Sequence, residues 1–226
     1  NNGSARTNYK IVDKRAMMTE INDKGENVSQ EKQAELVSLV GELSKSASVA
    51  VMSGSLPGGV GDDYYLKLIS AVPKTTKIIL DTSGNKMIAG LRGGAYLIKP
   101  NLDELREMTG EHYDSFDEMI TGCERLIEAG AENVMLSLGR KGAILTDGDK
   151  AYFCKSATVA VNSTVGAGDG MVAAAASMIE QNAPYEDVLR CAVAAGTASV
   201  MTPGTNLFYK ENFIEIYRKI QVERLR

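Results

Sequence analysis

The sequence predicts an α/β protein with a mostly parallel sheet covered by helices on both faces. Short apolar runs alternate with helical stretches from about residue 29 to the C terminus, the rhythm of consecutive βαβ units. The strand candidates at 48–52, 77–80, 95–98 and 133–137 are apolar at most positions, as strands buried on both sides require. Four glycine-rich or polar loops, at 54–59, 99–104, 137–142 and 163–169, fall on one edge of such a sheet, where ligands bind beyond the strands' carboxyl ends.

At the N terminus, residues 6–13 and 16–22 alternate Thr, Tyr, Ile and Val with polar residues and read as two strands joined at Asp13-Lys14-Arg15. Ser29 can cap a helix to about residue 46, with Leu36, Val37, Leu39, Val40 and Leu43 on its buried side. Helices are expected at 62–71, 86–91, 102–109 and 116–129. A hairpin of strands at 142–146 and 151–153 turns around Asp147-Gly148-Asp149, and helices at 169–181, 185–200 and 211–220 close the chain.

Composition narrows the function. The 226 residues can bury the core of one large domain. A net charge of −4 with no Lys/Arg cluster argues against a nucleic-acid surface. No apolar run reaches membrane-spanning length and no signal-peptide pattern opens the chain. Cys123, Cys154 and Cys191 are widely spaced, odd in number and lack a C-x-x-C pair, so they read as reduced thiols of a cytoplasmic protein. His112 is the single histidine, which argues strongly against a histidine-based triad or zinc site. Catalysis must then use carboxylates, lysines, hydroxyls and backbone amides. Asn1-Asn2-Gly3 carries no initiator Met, and the chain reads as a fragment.

The stretch 162–171, Asn-Ser-Thr-Val-Gly-Ala-Gly-Asp-Gly-Met, combines a glycine turn with the start of an alanine-rich helix. Free amides and the macrodipole at a helix start suit a phosphate. Asp169 would repel a resting phosphate but suits a base that deprotonates an attacking hydroxyl. The stretch also admits a reading in which Asp169 only favours the helix start. Neither a dinucleotide fingerprint nor a Gly-Lys-Ser/Thr ending is present.

Lys99-Pro100-Asn101-Leu102-Asp103-Glu104 resembles a capping box. Asn101 and Glu104 equally suit a hold through water on Mg²⁺, which keeps most of its water shell. Ser137-Leu138-Gly139-Arg140-Lys141-Gly142 reads either as a hairpin entry or as a nucleotide contact. Ser53-Gly54-Ser55-Leu56-Pro57 reads as a turn or as a hydroxyl pair for a polyol.

Together and in this order, these motifs resemble those of the PfkB (ribokinase-like) carbohydrate kinases. The match extends over essentially the whole chain, and Ser163–Asp169 is its most specific part. Within the family the sequence is most similar to the sugar-phosphate kinases, with 1-phosphofructokinase first. The resemblance implies a three-layer ribokinase-like fold, with residues 1–25 forming part of a β-lid and residues 26–226 the kinase core. Its activity would be ATP-dependent phosphorylation of fructose 1-phosphate to fructose 1,6-bisphosphate. Asp169 would be the base, and the amides of Gly166, Ala167 and Gly168 would form the anion hole. Lys99, Asn101, Ser137, Gly139 and Gly142 would line the ATP site, with Val193 and Thr197 near adenine. Arg6 and Lys10 would hold the substrate phosphate beside Ser53 and Ser55. Asn101 and Glu104 would reach Mg²⁺ through water, and carbonyls around Val165, Ser199 and Gly204 would hold a monovalent cation. A homodimer through the lid is implied; nucleic acid and membrane are not.

Three departures accompany the likeness. The family's opening βαβ unit and its sugar-binding glycine pair are absent from this sequence. Gly170 stands where Ser or Ala is usual, and Gly58 where Pro is common. Competing expectations are a tagatose-6-phosphate or fructose-6-phosphate kinase, a kinase of a nucleoside or unphosphorylated sugar, and a sensor that binds sugar phosphate or nucleotide without turnover.

Overall fold

A computed structural model describes residues 5–12 and 18–226. Strands β1 (Asn8–Val12) and β2 (Met18–Asn22) pair antiparallel with Lys10 opposite Glu20. The expected turn Asp13-Lys14-Arg15 lies outside the described residues. Helix α1 (Gln30–Leu43) starts at Ser29, whose hydroxyl accepts the Lys32 amide, and runs into a 3₁₀ turn at Ser44–Ser46.

The main sheet has seven strands in chain order, β3 (Val49–Ser53), β4 (Lys77–Asp81), β5 (Leu97–Ile98), β6 (Val134–Ser137), β7 (Ala143–Thr146), β8 (Ala151–Cys154) and β9 (Val222–Arg224). Strands β3 to β6 run parallel, and β6 to β9 pair antiparallel. Helices α2 (Tyr64–Ala71), α3 (Asn85–Leu91), α4 (Leu102–Thr109) and α5 (Phe116–Glu128) connect the parallel strands. Helices α6 (Ala167–Glu180), α7 (Tyr185–Ser199) and α8 (Lys210–Lys219) follow β8.

The two-residue strand period divides the core into two layers. Leu80, Ile98, Leu136 and Ile144 enter the cluster formed with α2 to α5. Their neighbours Ile79, Leu97, Met135 and Leu145 enter the cluster formed with α6, α7 and α8. Both faces are therefore covered, as the apolar strands predicted. Among the described residues no helix is long and apolar enough to cross a membrane.

Two expectations need correction. The stripe on α1 is not buried: Leu36, Leu39 and Leu43 are 44%, 52% and 64% exposed, and no α1 residue is fully buried. Only Val37 and Val40 pack against the core. Among the described residues β3 is the edge strand of the sheet, and the stripe borders the groove beside it. Strand β9 was not expected, because Val222-Glu223-Arg224 carries too little apolar sequence; its pairing with β8 creates it.

Candidate active site

The sheet register builds the floor of the site. Ser53 lies opposite Asp81 at the ends of β3 and β4. Leu80 lies opposite Ile98, which sets Asp81 beside Lys99 one residue further on. Ser53 Oγ is 3.4 Å from Asp81 Oδ2, and Lys99 Nζ is 3.3 Å from Asp81 Oδ1. Both members of that ion pair are largely buried, with side chains 9% and 16% exposed.

Over this floor stands the start of α6. Gly166 adopts φ 81°, a left-handed conformation that favours glycine. It lets the chain turn directly into the helix, and no side chain caps the turn. The first amides of α6 thus lack a capping partner and carry the positive end of the helix dipole. Asp169 occupies the helix's first turn and is exposed. Among the described residues its carboxylate has no hydrogen-bond or ion-pair partner. A Cβ added to Gly168 would come within 3.2 Å of Lys99 Nζ. The glycine therefore makes room for an ammonium beside the open amides.

A cavity of about 580 Å³ adjoins this turn, lined by Ser137, Gly139, Gly142, Ala167, Gly168, Val193 and Thr197. Lys99 and Asn101 are not on its wall. Gly142 combines φ 116° with the carbonyl of Cys154, which a Cβ would strike, so no other residue fits there. Val193 and Thr197 are buried, and Thr197 Oγ1 donates to the Val193 carbonyl at 2.7 Å. They form an apolar wall and offer no free hydroxyl. Ser137 Oγ lies 3.4 Å from the Pro100 carbonyl. The segment 156–159, Ser-Ala-Thr-Val, also lines the cavity and was not singled out from sequence. Its alternation of small polar and apolar residues was the available signal.

Asn101 and Glu104 form a complete capping box: Asn101 Oδ1 accepts the Glu104 amide at 2.9 Å, and Glu104 Oε2 accepts the Asn101 amide at 2.8 Å. The second carboxylate oxygen of Glu104 stays outside this box. No group of three or more acidic, His or Cys residues that could hold a metal occurs among the described residues. That donor set fits a hydrated Mg²⁺ contacted through water and not a dedicated protein cage. The carbonyl of Ser199 already accepts the Thr202 amide at 3.2 Å and its hydroxyl at 2.8 Å. The same hydroxyl lies 3.0 Å from the Asn206 carbonyl, so its single proton serves one of the two carbonyls at a time.

Beside the two-stranded sheet, Arg6 Nη2 lies 2.6 Å from Ser55 Oγ, which joins two expected substrate residues. Lys10 instead pairs with Glu20 across β1 and β2. Burial pushes the thiols of Cys123 and Cys154 up to about 12 and about 11, and both are free, as expected for reduced cysteines.

Residues 1–212 match the pfkB family carbohydrate kinases. The 1-phosphofructokinase of Borreliella burgdorferi is 33% identical over 198 residues, 87% of this chain and 64% of that protein. The 1-phosphofructokinase of Bacillus subtilis is 30% identical over 95% of this chain and 71% of its own length. The ATP-dependent 6-phosphofructokinase isozyme 2 of Escherichia coli is 35% identical over 76% of this chain and 57% of its own. The crystal structure of Escherichia coli phosphofructokinase-2 in complex with potassium superposes with a TM-score of 0.85 at 30% identity, over 94% of this chain and 70% of that one. The chain thus spans about six- to seven-tenths of the length of these relatives. The ribokinase-like layers, the uncapped glycine turn before Asp169 and these matches agree, and the chain belongs to the PfkB family of carbohydrate kinases.

Proposed function

We propose that the protein transfers the γ-phosphoryl group of ATP to a hydroxyl of a sugar phosphate, with fructose 1-phosphate as the acceptor and its C-6 hydroxyl as the nucleophile. The observation that carries this reading is the exposed, unpaired Asp169 beside the uncapped amides of α6 and Lys99. Asp169 takes the hydroxyl proton while the oxygen forms its bond to the γ-phosphorus. The bond from that phosphorus to ADP breaks as the amides of Gly166, Ala167 and Gly168 stabilise charge on the transferring group. Mg²⁺, contacted through water by Asn101 and Glu104, would neutralise charge on the phosphates.

The choice of acceptor is supported by the names of the Borreliella and Bacillus relatives. Arg6, held at Ser55, supplies a guanidinium suited to phosphate oxygens. Lys10 joins it in this reading only by exchanging Glu20 for the phosphate. The exposed apolar row Tyr9, Ile11 and Ile21 on the lid is taken as the face that a second copy covers.

The test is ADP release from MgATP with fructose 1-phosphate, tagatose 6-phosphate, fructose 6-phosphate or fructose. Preference for fructose 1-phosphate is expected, with kcat falling roughly 10²–10⁴-fold in Asp169→Asn. A loss below about tenfold in a folded variant would remove Asp169 as the base. Preference for fructose 6-phosphate would move the reading to the Escherichia coli isozyme's reaction.

A further inference from the structure

We propose that Asp81 is a positioning residue, which holds the Lys99 side chain in place and aims it at the phosphate chain of the nucleotide. The inference rests on the kinase reading above and adds a residue that the sequence motifs do not mark. Asp81 ends β4 and Lys99 follows β5, so parallel pairing of the two strands sets them side by side. The Lys99 side chain is 9% exposed and that of Asp81 16%, so the contact between them is shielded from solvent and fixes where the lysine points. Among the described residues Asp81 is its one ion-pair partner.

The contact, at 3.3 Å, is longer than the roughly 2.7–2.9 Å of a close charge-assisted hydrogen bond. An ammonium carries three donors, and this arrangement anchors the group without consuming them. The side of Nζ toward α6 faces Gly168, whose missing Cβ leaves the opening to the uncapped amides. Asp81 is itself restrained: its backbone carbonyl accepts the Gly54 amide at 2.9 Å, and Ser53 Oγ lies 3.4 Å from its Oδ2. An arriving phosphate therefore meets a preset cation, with no side-chain ordering left to complete at that moment.

The experiment is calorimetric titration of the protein with the magnesium complex of the β,γ-imido analogue of ATP, and separately with AMP. Asp81→Asn is expected to weaken the triphosphate roughly tenfold or more, the scale of a lost charged contact. AMP binding should change less than about twofold. Asp81→Glu should restore part of the triphosphate affinity. In a Lys99→Ala background, Asp81→Asn should add little, because the residue acts through Lys99. Equal weakening of both nucleotides, no change in either, or a full additional loss in the Lys99→Ala background would each overturn the proposal while leaving the kinase reading intact. Wild-type protein that binds neither nucleotide would overturn the kinase reading and this proposal with it.

Discussion

A Cβ added to Gly170 would lie 2.6 Å from Ser199 Oγ, on the contact between α6 and α7. That hydroxyl is fixed by its 2.9 Å hydrogen bond to the Ala195 carbonyl. The space a larger residue would need at position 170 is thus filled from the neighbouring helix. This accounts for Gly170 where the family resemblance led to Ser or Ala.

Gly170→Ala should therefore lower stability by about 1 kcal/mol, overpacking exceeding the gain in helix propensity. Placed on Ser199→Ala, the same substitution should raise stability by about 0.5–1 kcal/mol, because only the propensity gain remains. Thermal melting of the four proteins checks both signs. Additive effects would show that Ser199 is not what restricts position 170.

Arg6 and Ser55 meet at 2.6 Å although 49 residues separate them. If that guanidinium receives the substrate phosphate, Arg6→Ala should raise the KM for a sugar phosphate about tenfold or more, as loss of a charged contact does. The KM for ATP and any turnover of plain fructose should hardly move. Arg6→Lys should recover only part of the loss, since an ammonium cannot form the two-pronged contact. Steady-state kinetics with phosphorylated and unphosphorylated fructose separates these outcomes, and equal effects on both acceptors would remove Arg6 from phosphate recognition.

The layers were legible because each apolar strand announces itself, and α4 was placed residue for residue at Leu102–Thr109 by its Asn101–Glu104 box. The glycine turn before Asp169 was legible because its chemistry is contiguous in sequence. What stayed hidden is non-local. Asp81 and Lys99 acquire meaning only when the parallel register brings two strand ends together. The exposed half of α1 looked like any buried stripe, because periodicity reports which residues share a face and not what covers it. Strand β9 has almost no strand propensity of its own and forms on a template, β8.

The cysteines give a prediction whose sign follows from burial. Cys123 lies wholly inside the core, and burial, with Glu124 adding repulsion, pushes its thiol up to about 12. Burial pushes Cys154 up to about 11 despite the opposing charge of Arg190. Cys191 is only half-buried, raised by burial and by Asp187. At pH 8 a thiol of pKa about 12 is ionised in about one molecule in 10⁴, and the thiolate is the reactive form. A thiol reagent added to native protein should therefore modify Cys191 first, with Cys123 and Cys154 reacting only as fast as the core opens. Denaturant should release all three at once. Because the folded values lie above the ordinary thiol value of 9.0, the two buried cysteines stabilise the fold fully below pH 9. They lose that contribution as pH rises to about 11 for Cys154 and about 12 for Cys123. Stability should accordingly fall with increasing pH in that window, with a shallower slope in Cys123→Ala. Rapid stoichiometric labelling of Cys123 in native protein at pH 8 would contradict its place in the core.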